Sequence, residues 1–191
     1  MKIAEEYVLL CERAQKMKYH PKLTTAAAIL YDLILMDAVR LDNSGMLHVN
    51  PDFNESKLEA HEKTLFQEIK KHSSKKLWAM IMKHYAFLDS NRFHKAVLQK
   101  CEQEKRNTEK QISAVVEELR ADLLEEGRVT EESAVLTLLL KQAKILKYYF
   151  SDYECKTLSK RLKEIPVDTA HYNFFRTLRN TIKFSDILTW S

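Results

Sequence analysis

Two glycines and three prolines are all that this chain of 191 residues offers for sharp turns and linkers. No stretch between its ends has the Pro, Gly and Ser content of an interdomain connection, so one domain spanning residues 1–191 is expected. The same scarcity bears on chemistry. With Gly45 and Gly127 far apart, the chain can write neither a dinucleotide fingerprint nor a phosphate-cradling loop nor a Gly-x-Ser-x-Gly nucleophile turn, each of which needs clustered glycines.

Helical spacing dominates. Ile3, Tyr7, Leu10, Ala14 and Met17 recur at intervals of three and four with Glu5, Glu6 and Arg13 between them, which predicts an amphipathic first helix. Pro21 disfavours helix at His20, so residues 16–22 should be a loop. The next helix, about 22–37, is apolar on nearly every side from Ala26 to Met36 and should be central, with Leu30, Leu33 and Ile34 buried. The period then becomes two. Val39 and Leu41 flank Arg40, Leu47 and Val49 flank His48, and Asp42, Asn43, Ser44 and Gly45 lie between, which predicts a β-hairpin over about 38–50.

Helices should follow to the end. Asn54 is read as the cap of a helix carrying Leu58, Leu65, Phe66 and Ile69, and Ser73 or Ser74 as that of one carrying Leu77, Trp78, Ile81, Met82 and Tyr85. A further helix after Ser90 carries Phe93, Val97, Leu98 and Cys101. Residues 102–111 hold no apolar side chain and read as an exposed helical continuation or a connection. Ile112, Val115, Val116, Leu119 and Leu123 restore the stripe up to Gly127. Thr130 should cap a very apolar helix reaching about Phe150, with Leu138 and Leu139 buried. Ser151 and Glu154 form a capping box for the next helix, which ends by Pro166, and a last one runs from about Asp168 through Ile182. The fold class is therefore mostly α: a single compact helical domain with one short hairpin.

A chain that is 45% hydrophobic and 30% charged has the composition of an ordinary globular protein. Lysine and arginine exceed the acids by 31 − 27 = 4, which permits a polyanionic partner without requiring one. Cys11, Cys101 and Cys155 are odd in number and widely spaced, as reduced thiols are, and the acidic start Glu5-Glu6 does not suit a secretory signal. A cytoplasmic protein, peripheral to a membrane at most, is expected.

No catalytic constellation emerges, and neither metal nor cofactor is expected. His61 and His72 lie eleven residues apart, about 16 Å along a helix and too far for one ion, and no Cys-x-x-Cys occurs. Each histidine is read as a surface or boundary residue. The pairs Glu117-Glu118, Glu125-Glu126 and Glu131-Glu132 suit solvated faces and a helix first turn better than acid–base chemistry. Lys141, Lys144 and Lys147 share one helical stripe, and Arg176, Arg179 and Lys183 another; these are solvated faces unless they cluster in space.

Two stretches carry a family resemblance. One joins Glu5-Glu6-Tyr7-Val8-Leu9-Leu10 to the segment from Ala27-Ala28-Ile29-Leu30 through Asp37-Ala38-Val39-Arg40-Leu41-Asp42. The other runs from Leu119-Arg120-Ala121-Asp122 through Val135-Leu136-Thr137-Leu138-Leu139 to Lys160-Arg161-Leu162-Lys163. With the order of elements, they resemble the Golgi phosphoprotein 3 family, of which this would be a short, divergent member. The resemblance implies a non-enzymatic peripheral membrane adaptor whose basic pocket binds phosphatidylinositol 4-phosphate. Its pocket uses a Trp and an Arg around the start of the buried helix and an Arg pair further on. Here Met17 stands near the Trp position, Ala26 at the first Arg, and Arg92, with His94 and Lys95 beside it, at the later pair.

The expected function is thus a helical adaptor touching anionic lipid headgroups through Lys16, Lys18, Lys22, Arg92 and Lys95, with an unknown protein partner; that residues 16–22 are simply a solvated interhelical loop stays equally open. Charge without a matched donor set attracts phosphate but does not select its position on a ring, so little phosphoinositide preference is expected. The alternative is a winged-helix nucleic-acid binder with the hairpin as its wing. It ranks lower, because residues 38–50 offer only Arg40 and His48 as basic groups.

Overall fold

A computed structural model describes residues 1–14, 24–71, 90–105, 109–127, 129–164, 174 and 176–177. Among these the protein has eight α-helices: α1 (Ile3–Arg13), α2 (Thr25–Leu35), α3 (Ala60–Lys71), α4 (Ser90–Gln103), α5 (Glu109–Leu124), α6 (Glu131–Gln142), α7 (Leu146–Tyr149) and α8 (Asp152–Glu164). A two-stranded antiparallel sheet, β1 (Val39–Leu41) and β2 (Leu47–Val49), follows α2. Its register pairs Val39 with Val49, Arg40 with His48 and Leu41 with Leu47. The predicted helices at 77–85 and 168–182 lie outside the described residues, apart from the helical residues Phe174, Arg176 and Thr177.

Every residue of α2 from Thr25 to Ile34 is buried, as its apolar surface on all sides requires. α1 is just as central, which its amphipathic pattern did not suggest. It packs against α2, α4, α5 and α6, and even Glu5 is buried. Two interactions make this tolerable. Lys100 of α4 reaches Glu5 at 2.9 Å and Glu59 at 3.0 Å. Asp32 of α2 accepts hydrogen bonds from the amides of Ile3 and Ala4, both at 2.9 Å, so one buried side chain caps the neighbouring helix. Leu30, Leu33, Ile34, Leu138 and Leu139 are all buried, in one core cluster that extends from Ile3 to Phe174.

Helix boundaries depart from the sequence reading in three places. Asn54 caps a short 3-10 turn, Glu55–Lys57, and α3 starts only at Ala60. In the polar run 102–111, α4 reaches Gln103 and α5 starts at Glu109, ahead of Ile112. The helix capped by Thr130 stops at Gln142 instead of reaching Phe150. There Lys144 takes a φ of 57°, and Ile145 and Lys144 donate to the carbonyls of Leu140 and Lys141. That is a Schellman ending with lysine where glycine is usual. The α2 end repeats it with Asp37 at φ 56°, and Lys105 after α4 is left-handed at φ 52°. A chain with two glycines has to end helices on residues that pay a steric penalty there.

A lysine-lined concavity

The ending at Lys144 and the capping box at Ser151 set the geometry of the last three helices. Ser151 donates its amide to Glu154 at 2.7 Å and accepts from the amide of Glu154 at 3.3 Å, which starts α8 immediately after α7. Arg120 of α5 then ties these elements together. Its guanidinium reaches Glu154 at 3.3 Å and the carbonyl of Tyr149 at 2.8 Å, and lies 5.3 Å from the centre of the Phe150 ring. α6 packs on both α7 and α8.

This packing opens a concavity of about 760 Å³ between the end of α6, α7 and one face of α8. Lys141, Lys144 and Lys147 line one side, and Lys156, Lys160 and Lys163 the other, over a floor that includes Leu146 and Cys155. The first three are the stripe that the sequence shows; the second three come four and three residues apart on α8, one face of a helix. The Lys141 stripe was expected to be a solvated face, the α8 stripe was not singled out in the sequence, and the fold brings the two together. The single carboxylate among the described lining residues, Asp152, holds Lys147 at 2.8 Å, which pulls the acid below and pushes the amine above their ordinary ranges. Lys141 donates to Ser159 at 3.0 Å. Six lysines and one aspartate line this surface, and the Cys155 thiol among them is pushed up, chiefly by burial.

Lys16, Lys18 and Lys22 lie outside the described residues. Arg92 and Lys95 are exposed on α4, and neither lines the concavity. Between them His94 is buried, and so is His61, against the expectation that histidines would be peripheral. Packing explains His94, whose ring lies 2.6 Å from a carboxylate oxygen of Glu12 and 3.2 Å from the hydroxyl of Thr25. Ala26, which stands where the resemblance implies an arginine, is buried.

The hairpin offers little to a nucleic acid. Arg40 holds Asp37 at 2.8 Å, and His48 meets Asp42 at 2.8 Å. Asp42 also accepts from the Ser44 hydroxyl and the amides of Ser44 and Met46, and its carboxyl is held well below the usual range, most by the Ser44 hydroxyl. Both basic groups of the would-be wing are thus engaged by neighbouring acids.

A second hollow, about 320 Å³, is lined by Glu6, Asp32, Glu118 and Glu132 together with Met1 and Lys2, among Leu35, Val115 and Leu136. Burial, with help from Glu118, Asp32 and Glu5, pushes the Glu6 carboxyl up to about 7. Burial does the same to Asp32, to about 7, against its two amide hydrogen bonds. Among the described residues no group of three or more His, Cys, Asp or Glu side chains is arranged to hold a metal ion, and no helix is long and apolar enough to cross a membrane. Comparison with protein-family models, with curated proteins and with solved structures finds no match.

Proposed function

We propose that this protein is a non-enzymatic helical adaptor that attaches to clustered phosphate groups, its anion-binding face being the lysine concavity of α6, α7 and α8. The convergence of six lysines around one aspartate carries this reading. Such a surface repels itself when empty and gains most from a ligand that brings several negative charges at once. Lysine ammoniums act as mobile point charges without the fixed fork of arginine, so the site discriminates by charge density and little by headgroup stereochemistry. Lipid headgroups at a membrane surface and free multiply phosphorylated molecules share this chemistry. The adaptor role, with a protein partner as cargo, is the part that rests on resemblance to the Golgi phosphoprotein 3 family.

Each lysine near an anionic surface contributes about 1 kcal/mol, so reversing Lys144, Lys156 and Lys160 to Glu should weaken attachment by roughly two orders of magnitude or more. The measurement is sedimentation with phosphatidylserine-containing vesicles at low and high salt, alongside calorimetric titration with inositol hexakisphosphate. A second variant, Lys16→Glu, Lys18→Glu, Lys22→Glu, tests the loop predicted from sequence. Loss of both ligands in the first variant supports the concavity. Loss only in the loop variant moves the site to residues 16–22. Retention of binding by both variants, or salt-independent binding, overturns the reading.

A further inference from the structure

Besides its six lysines, the described residues that line the concavity are Leu146, Asp152, Cys155 and Ser159, with no aromatic ring and no side-chain amide among them. The large apolar side chains exposed elsewhere on the described surface, Met1, Leu35, Tyr148 and Tyr153, do not line it. Its two walls are already fixed to each other. Lys141 donates to Ser159 at 3.0 Å, which ties α6 to α8, and the Lys147–Asp152 pair at 2.8 Å ties α7 to the start of α8. A hollow of about 760 Å³ thus stands between lysines on either side, within the roughly 300–1,000 Å³ that small-molecule pockets span. One of those lysines holds a costly position. Lys144 takes the left-handed φ of 57° that ends α6, where glycine avoids the crowding at the β-carbon. Lys105 meets the same strain after α4 at φ 52°, away from the concavity.

We infer that the concavity is the pocket of a free, compact polyphosphate of the inositol polyphosphate class, an assignment that rests on the phosphate-binding reading and gives it one soluble ligand. Phosphates spread around a small ring point outward in several directions, so they meet lysines on both walls at once, each contact a charge-assisted hydrogen bond. A nucleotide carries its phosphates at one end and needs a seat for its base, built from rings or amides. The described lining supplies neither. A nucleic-acid strand needs stacking platforms for the same reason. A bilayer presents its phosphates in a plane, whereas these lysines face one another across a hollow with no large apolar side chain in its described lining but Leu146, which is buried. Lys144 reaches the ligand from a backbone that glycine would relax, so stability and affinity pull in opposite directions at this residue.

The test titrates the parent, Lys144→Gly, Lys144→Arg, Lys105→Gly and Lys156→Gln/Lys163→Gln with inositol hexakisphosphate by calorimetry. The parent is also offered inorganic tripolyphosphate, adenosine triphosphate and phosphatidylserine-containing vesicles. Thermal melts without ligand establish that each variant is folded, and both glycine variants are expected to melt at or above the parent. Lys144→Gly should bind inositol hexakisphosphate about five- to tenfold more weakly, and Lys156→Gln/Lys163→Gln at least as weakly. Lys105→Gly and Lys144→Arg should stay close to the parent. Adenosine triphosphate should bind no tighter than tripolyphosphate, and both more weakly than inositol hexakisphosphate. Unchanged affinity in folded Lys144→Gly and Lys156→Gln/Lys163→Gln places the ligand elsewhere and overturns the pocket. Adenosine triphosphate binding well above tripolyphosphate reveals a seat for the base and overturns it in favour of a nucleotide. Vesicle binding without inositol hexakisphosphate binding overturns it in favour of a lipid surface and leaves the phosphate-binding reading standing. Binding of none of the probes overturns both.

Discussion

Lys105 sits in the left-handed region with an exposed side chain, a conformation that costs a β-carbon about 1 kcal/mol. Replacing it with glycine is expected to raise stability by up to about 1 kcal/mol, less whatever glycine adds to the freedom of the unfolded chain. A urea melt with unchanged slope and a higher midpoint would show it; a lower midpoint would mean that this helix end is not under strain. Glu6 makes a different residue-scale case. Its carboxyl is raised to about 7 in the folded protein, above the ordinary 4.5, so the native state binds the extra proton. Stability should fall as pH rises from about 4.5 through 7 and then level off. Glu6→Gln removes this contribution, so the variant should gain about 1–3 kcal/mol on the parent at pH 8 and nothing near pH 4. Asp32 pulls in the same direction, so some pH dependence should survive in the variant. Melts at both pH values decide it.

At the scale of elements, α1 depends on a side chain that is not its own. Asp32 satisfies two of its orphan amides from inside the core, and Asp32→Ala would leave both without an acceptor in a buried place. The expected loss is about 2–4 kcal/mol, concentrated on α1. Faster amide exchange along α1 than along α6 in the variant would locate it there; uniform loss would show that α1 has no separate dependence on the cap. The capping boxes and turn residues that were legible in the chain, Thr130, Ser151 with Glu154, and Asp42 with Gly45, are those whose partners lie two to four residues away. Asp32 could not be read this way, because its partners stand 28 and 29 residues off. The ending at Lys144 was missed for a related reason: the apolar stripe runs on through Leu146 and Phe150, and nothing local but a glycine would have marked the break.

For the whole molecule, the core prediction is mechanical. Leu33 and Leu138 are buried on opposite parts of the chain in one cluster, and truncating either to alanine should cost about 2–5 kcal/mol. A thermal melt of either variant matching the parent would show that its helix is peripheral. Six lysines in one hollow add a whole-molecule term of their own, since their mutual repulsion opposes the packing of α6 and α8. Salt and polyphosphate should therefore both raise the melting temperature, and neutralising Lys144, Lys156 and Lys160 to Gln should reduce that rise.

What the chain determined by itself was whatever depends on neighbours along it: the helices, from apolar residues three and four apart; the hairpin, from a period of two around Asp42 and Gly45; and the burial of α2, which has no polar face to turn outward. Only tertiary structure decided the rest. It buried Glu5 and His94 on faces that the pattern reads as polar, because Lys100 and Glu12 arrive from other helices to satisfy them. It also turned two ordinary lysine stripes, some fifteen residues apart in the chain, into one concavity. Periodicity reports which way a side chain leaves its own helix, and charge convergence depends on which helix stands opposite, a choice made by the packing of the core.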